Sequence, residues 1–496
     1  MSLPRCPRHW QEGRAALLPA FLAGGGGVLA FAPFGLAWLL PLLLALLFHL
    51  LVRASAWGQA AWRGGAFGLG LFLAGVSWVY VSLSVFGGMS MPLAALATLL
   101  FCAYLALFPA LLGGLLRRFL PAALWRQALL FAALWALADL LRGWLFTGFP
   151  WLALGYSQVP PSPLAGYAPL LGVYGLTFLT ALAGAWLLWR PWGWLGIAVL
   201  LAGGWGLQQI QWTQPRGEPL SVALVQGNVA QDLKWRPERF AATLTLYRDL
   251  VSHHPARLTI LPETALPAFL DDIPRDYLME LKALAARQQG DLLLGVPTGT
   301  GEAYWNSAVS FGASPSQQYS KTHLVPFGEF IPPGFAWFLD LARIPMSSFS
   351  PGPVFQPPLA LAGQQVAVNI CYEDLFGREL LSAVPEATLL VNMSNTAWFG
   401  RSLAQPQHLQ IARLRALETG RPMLRATNTG MTAVVQPDGR VQAVLAPFTT
   451  GVLEAQVQGY TGSTPYVLLG DGAALLLVLL ALGAALLPVP RVGKSK

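Results

Sequence analysis

Three short stretches set a carboxylate, an ammonium group and a thiol at expected strand ends. In LTILPETALP, Glu263 follows a run that Pro262 stops; in YSKTHLVPFGEF, Lys321 is trailed eight positions later by Glu329; in NICYEDLFG, Cys371 stands between an apolar run and a helix expected to begin at Asp374. A base, a fixed cation and a thiol are the parts of a nucleophilic site. The carboxylate takes the thiol proton, sulfur attacks an acyl carbon, and the cation steadies the oxyanion that forms. Singly, each has an ordinary explanation: an apolar-flanked Cys is more often a buried space-filler, Glu263 could cap a helix, and Lys321 could lie on the surface. Their joint occurrence favours chemistry. The N–H groups of the expected helix would favour the thiolate of Cys371.

To meet, these groups need strands that end side by side. Strands are expected at 221–228, 257–263, 291–297, 306–312, 365–370, 387–394, 422–427 and 432–439, and helices at 239–253, 275–290 and 404–420, the last closed by Gly420. Apolar strands alternating with amphipathic helices indicate an α/β layered domain.

The rest of the chain is written for lipid. Of its 496 residues 55% are hydrophobic and 11% charged, with 19 Trp, and the mean hydropathy is +0.52. A soluble protein carries about a quarter charged residues. A crossing needs about 20 apolar residues, and spans are expected at 15–32, 35–52, 65–85, 91–116, 127–146, 168–189, 191–209 and 472–489. The domain plan is therefore a membrane domain with seven helices over 1–214, an external catalytic domain over 215–465, and an eighth helix with a cytoplasmic tail over 466–496. Arg53, Arg117, Arg118, Arg126 and Arg190 fall on one side, with the basic residues of both termini, while the other side's short loops hold only Arg142. That asymmetry makes both termini cytoplasmic. The first apolar stretch lacks a small-residue cleavage site and reads as a retained helix. The net charge of +8 is spent on this topology; the globular part has no basic stripe with interleaved aromatics, which argues against a nucleic-acid partner. Cys6, Cys102 and Cys371 fall in the tail, the fourth span and the external domain, so none can pair within a compartment, and a lone thiol outside the cytoplasm needs a purpose.

The blocks LPETALP, KTHLVPFGEF, NICYED, NMSNTAWFG, QHLQIARLRALETGRPMLRATNTG and, in the membrane half, GFPWLALGYSQ resemble the signature blocks of the apolipoprotein N-acyltransferases. The resemblance covers essentially the whole chain. It implies a nitrilase-like αββα sandwich carried on an eight-helix membrane part in the bacterial inner membrane, with the sandwich in the periplasm and no cofactor. It also implies an acyl transfer from membrane phospholipid to the α-amino group of a diacylglyceryl apolipoprotein, with the bilayer as the further partner and the enzyme a monomer. Cys371 would carry the acyl group as a thioester, Glu263 would move protons, and Lys321 with the Tyr372 backbone N–H would hold the oxyanion. Glu329 would position Lys321 and the incoming amine, and Glu373 would support the site from behind. Thr396 is a departure, standing where the family has an Asp.

Substrate-binding roles are expected for Trp235, Trp337, Phe338, Asn395 and Trp398. Within 331–353, Phe335, Trp337, Phe338 and Phe349 either form an arm that dips into lipid or join the domain core. The broken segment after Gly148 is expected at the outer interface, with Trp151, Tyr156 and Tyr167 at headgroup level. His323 is expected to be structural. His253 and His254 lack the spacing of a ligand set, so no metal is expected. Two other readings compete. A tethered amidase would use the same triad with water as acceptor, though eight spans exceed what a soluble substrate requires. A transporter would need more ionisable residues inside the bundle than Asp139 and Arg142, which lie three apart on the fifth span and could pair.

Overall fold

The computed structural model describes residues 15–300, 303–334 and 348–487. Its N-terminal half is helical: α1 (Leu17–Gly27), α2 (Leu39–Val52), α3 (Trp57–Val76), α4 (Met91–Arg118), α5 (Leu124–Arg142), α6 (Ala168–Trp186) and α7 (Trp192–Leu207). Small residues let these helices close on each other. A methyl group on Gly24 of α1 would collide with the Phe67 carbonyl of α3, and one on Gly64 of α3 with the Pro109 carbonyl of α4. The outer flank of α4 shows Leu99, Leu100, Leu107 and Leu111, all exposed, as lipid-facing residues are. By length and hydropathy, α4, α5 and Pro163–Trp186 can each cross a membrane, and α3 adds another if its continuation Val79–Phe86, bent by 56°, counts with it. Leu17–Ala30, α2, α7 and the C-terminal helix are shorter apolar helices.

The second half is two six-stranded sheets. The first has the order β12-β1-β2-β3-β4-β5 and the second β11-β10-β9-β8-β7-β6. Their strands are β1 (Gln214–Gln226), β2 (Leu258–Ile260), β3 (Asp291–Thr300), β4 (Ala303–Gly312), β5 (Gln318–Ser320), β6 (Leu359–Leu361), β7 (Gln364–Ile370), β8 (Leu389–Ser394), β9 (Met423–Thr427), β10 (Ala433–Val435), β11 (Val441–Val444) and β12 (Gly451–Thr461). Successive strand residues point to opposite faces. Leu220, Val222 and Leu224 of β1 thus meet Val366, Val368 and Ile370 of β7 between the sheets. On the far face of the first sheet, Val225, Leu292 and Leu294 pack on Tyr247 of α8 (Pro237–His253) and Leu281 of α9 (Arg275–Arg287). On the far face of the second, Ala367 and Leu390 pack on Leu409, Ala412 and Ala416 of α10 (Ala404–Thr419). The four layers run helix, sheet, sheet, helix. The chain ends in α11 (Gly472–Leu486), which lies against α5 and α6.

Helix α10 has no wet face. Its Ile411, Leu414 and Leu417 join the core of the membrane half with Trp151, Tyr156 and Leu176. The segment after Gly148 is packed inside the protein rather than open at its surface: Trp151 and Tyr156 are each 1% exposed, because α10 and the turn after β7 cover them, while Tyr167 is half-buried and donates to the Leu200 carbonyl at 3.0 Å. All eight expected strands and three expected helices form. Four strands are not announced by the sequence: β5, β6 and β11, of three or four residues each, and β12, whose GVLEAQVQGYT is half polar because it pairs only with β1 at a sheet edge.

Leu414 is 0% exposed in the shared core, so Leu414→Ala should cost about 2–5 kcal/mol and lower the thermal unfolding midpoint of the detergent-solubilised protein. An unchanged midpoint would mean that the two halves do not share this core.

Candidate active site

Strands β1, β2 and β3 run parallel, as do β7, β8 and β9, so their C-terminal ends gather on one edge of the sandwich. Edges of this kind collect ligand-binding groups because side chains and free backbone from several loops converge there. Glu263 follows β2, Lys321 is the first residue after β5, Cys371 the first after β7, and Asn395 the first after β8. Asn306 enters from the start of β4, opposite Pro297 of β3.

These groups form one buried cluster. Glu263 is 7% exposed, and both its oxygens are occupied: the Asn306 amide donates to Oε1 at 2.7 Å and the Asn395 backbone N–H donates to Oε2 at 2.7 Å. The same Asn306 nitrogen donates to Glu329 Oε1 at 2.9 Å. With two carboxylates as partners, that amide atom must be the donor. Lys321 Nζ lies 2.8 Å from Glu329 Oε2 and 3.6 Å from Glu263 Oε1. Cys371 begins the 3-10 turn Cys371–Leu375 with a φ of +56°. That left-handed backbone costs an L-residue about 1–2 kcal/mol, so the surroundings must enforce it.

Two carboxylates do so. Glu373 accepts from the N–H groups of Ile370 at 2.7 Å, Thr322 at 2.7 Å and His323 at 3.1 Å, and from the Tyr319 hydroxyl at 2.9 Å. It thereby ties the Lys321 loop to the Cys371 turn. Asp374 accepts from Arg425 of β9 at 2.9 Å and contacts His408 of α10 at 2.7 Å, fixing the turn to the sheet and to the shared helix.

Burial, reinforced by Glu263 and opposed by Lys321, raises the Cys371 thiol well above its ordinary value. The expected helix at Asp374 is replaced by a single 3-10 turn that starts at Cys371 itself. One turn carries too little dipole to offset the lost hydration, so burial outweighs the pull toward the thiolate that the expected helix start would give. Burial alone would lower the Lys321 ammonium, but Glu329 and then Glu263 hold it above the usual lysine value. Burial pushes the Glu373 carboxyl up to about 6 against the pull of Lys321 and of its backbone donors. Lys234, whose Nζ donates to the Glu263 carbonyl at 3.4 Å, is pushed down to about 8 by burial.

Asn395 reaches the cluster directly, and Tyr372 follows the sulfur with its hydroxyl turned to the Gly148 carbonyl at 2.7 Å. Trp235, half-buried, ends the short helix that carries Lys234. Trp398 has its ring 5.9 Å from Phe86 and its carbonyl accepting from the Ser82 hydroxyl at 2.8 Å. Phe335, Trp337 and Phe338 lie outside the described residues. Phe349 packs on Tyr304 with ring centroids 4.9 Å apart. His323 stacks on Phe376 and pairs with Glu379 at 2.8 Å. Thr396 is fully buried. Sequence reasoning missed Asn306, Arg425, His408 and Lys234. The signal for Arg425 was a cationic side chain inside an otherwise apolar strand; His408 lies in a helix rich in polar residues and carries no such mark, and Asn306 shows only as a polar residue opening an apolar strand.

Residues 23–186 match the model of the apolipoprotein N-acyltransferase N-terminal domain, and residues 221–466 match that of the carbon-nitrogen hydrolases. The chain is 52% identical over 481 residues to the apolipoprotein N-acyltransferase of Nitrosomonas europaea, covering 94% of this chain and 96% of that protein. It is 48% identical over 483 residues to that of Chromobacterium violaceum, covering 94% and 93%. Among solved structures, an amidase from Nesterenkonia sp. is 20% identical with a TM-score of 0.38, over 51% of this chain and 94% of that one.

The raised thiol has a direct readout. In a Cys6→Ser, Cys102→Ser background, alkylation of Cys371 by iodoacetamide should keep accelerating above pH 9. Saturation below pH 8 would contradict a thiol held neutral by burial and Glu263.

Proposed function

Because the chain belongs to the apolipoprotein N-acyltransferase family, we propose that it moves an acyl chain from a membrane phospholipid onto the α-amino group of the N-terminal S-diacylglyceryl-cysteine of apolipoproteins, the last step of lipoprotein maturation. The observation that carries the chemistry is the meeting of Glu263 and Lys321, 3.6 Å apart, beside the buried Cys371.

In the first half-reaction the Cys371 sulfur attacks the ester carbonyl carbon as Glu263 takes the thiol proton. A raised thiol value makes this transfer part of the attack rather than a prior step. The oxyanion forms near the Lys321 ammonium and the Tyr372 backbone N–H. The carbon–oxygen bond then breaks, and Glu263 returns the proton to the departing lysophospholipid. In the second half-reaction the amine nitrogen attacks the thioester carbon, Glu263 takes an amine proton, the carbon–sulfur bond breaks, and that proton goes to sulfur. Asn306 and Asn395 keep the Glu263 oxygens aimed, and Glu329 with Asn306 keeps Lys321 in place. Trp235, at the end of the helix that carries Lys234, is the proposed acyl-pocket residue, with Asn395 beside the Glu263 carboxylate.

The proposed setting is the bacterial inner membrane, crossed eight times by residues 1–214 and 466–496, with 215–465 in the periplasm and a single chain as the working unit. Exposed leucines on α4 support the lipid contact. Arg126 at the start of α5 donates to the Ala484 carbonyl near the end of α11 at 3.1 Å, so both helices bring that side together, away from the sandwich. A hydrolase reading rests on the carbon-nitrogen hydrolase match and differs only in its acceptor.

Enzyme incubated with phospholipid alone should show an acyl adduct on the Cys371 peptide by mass spectrometry, and Cys371→Ala should be inactive yet folded. An unmodified Cys371 in active enzyme would refute the thioester. Free fatty acid as the sole product in the presence of a diacylglyceryl-cysteine peptide would favour the hydrolase.

The pH profile supplies a second check. The Glu373 carboxylate accepts four hydrogen bonds only when ionised, so kcat/KM should fall as pH drops through about 6. Glu373→Gln should be slow at every pH and lose that limb; an unaltered limb would assign it to another group.

A further inference from the structure

Asp139 and Arg142, near the end of α5, are buried and take no part in the chemistry above. They pair at 2.8 Å with side chains 7% and 1% exposed. Two charges withdrawn from water are tolerated only if their other atoms also find partners. Here those partners are backbone. Arg142 Nη1 donates to the carbonyls of Phe149 at 2.5 Å and Trp151 at 2.6 Å. Asp139 Oδ2 accepts from the Leu154 N–H at 3.0 Å and from the Thr177 hydroxyl at 3.1 Å. These bonds give one shape to the irregular stretch from Gly148 to the 3-10 helix Leu154–Gln158.

That stretch lies against the catalytic turn. Gly148 has a φ of +85°, and a methyl group there would strike the Gly143 carbonyl and come within 3.0 Å of the Phe376 ring. Two hydroxyls bridge the gap from opposite sides. Tyr372, next to the nucleophile, donates to the Gly148 carbonyl at 2.7 Å, and Tyr156 donates to the Leu375 carbonyl at 3.0 Å. Both ends of the Cys371–Leu375 turn are therefore held from the membrane half.

We propose that Asp139 and Arg142 are positioning residues for acyl transfer: through residues 148–156 they set where the turn presents the Cys371 sulfur and the Tyr372 N–H. The inference rests on the acyl-transfer reading above. The sensitivity is large, since a displacement of about 1 Å in a reacting group can cost roughly a hundredfold in rate.

The test is single-turnover thioester formation on Cys371 from phospholipid, followed by mass spectrometry with the full chain in mixed micelles, for the parent, Tyr372→Phe, Asp139→Asn and the double variant. Each single change should lower the acylation rate constant about tenfold and leave the phospholipid KM within about twofold. The double variant should be no slower than the slower single one, because both cut one chain of contacts. Arg142→Lys keeps the charge but loses the fork onto the Phe149 and Trp151 carbonyls; it takes the place of Asp139→Asn if the latter does not melt as folded protein. Losses that multiply, changes confined to KM, or a Tyr372→Phe rate equal to the parent's overturn the proposal. A parent that forms no thioester overturns the acyl-transfer reading instead, so the two failures are distinguishable.

Discussion

A single ammonium group, shared between two carboxylates, is the interaction on which the cluster depends. Lys321 comes from the end of β5, Glu263 from the end of β2, Glu329 from the loop beyond, and Asn306 bridges the carboxylates from β4. Removing one partner from such a buried set leaves an uncompensated charge, typically at about 3–5 kcal/mol. The set carries one positive and two negative charges, and that excess, added to burial, keeps a third negative charge off Cys371. In the proposed transfer an oxyanion would form beside Lys321 only as Glu263 takes up the thiol proton, which leaves the count of charges unchanged.

The second dependency is mechanical. In a sandwich of this type an outer helix has one face on the sheet and one in water. Helix α10 has sheet on one side and the core of the membrane half on the other, and its His408 reaches Asp374 in the turn that bears the nucleophile. The hydrolase-like half is therefore built into the membrane half. Its reactive turn rests on a floor made of membrane-half backbone.

How much of this was legible in the sequence follows from which contacts are local. The eight expected strands showed because their apolar residues alternate or run unbroken, and Glu263 and Cys371 showed because each stands where such a run stops, whereas Lys321 follows the polar SQQYS and showed through the block KTHLVPFGEF. The segment after Gly148 was legible only in part: aromatic residues next to apolar spans suit an interface, and nothing local reveals that α10 covers Trp151 and Tyr156. The raised Cys371 thiol was hidden for a related reason, since its burial comes from elements far along the chain. Asn306 carried no local mark at all, because its meaning lies in having two carboxylates as neighbours. Asp139 and Arg142 were readable as a pair but not as scaffolding, since their backbone partners lie beyond the helix that carries them.

The neutral state of the Cys371 sulfur bears on its durability. Oxidants and disulfides react with the thiolate, and the path from sulfenic to sulfonic acid begins with that anion. A sulfur that ionises only while an acyl carbonyl is under attack offers peroxide little to work on between turnovers. The burial that raises the Cys371 thiol thus also shields an unpaired cysteine from oxidants.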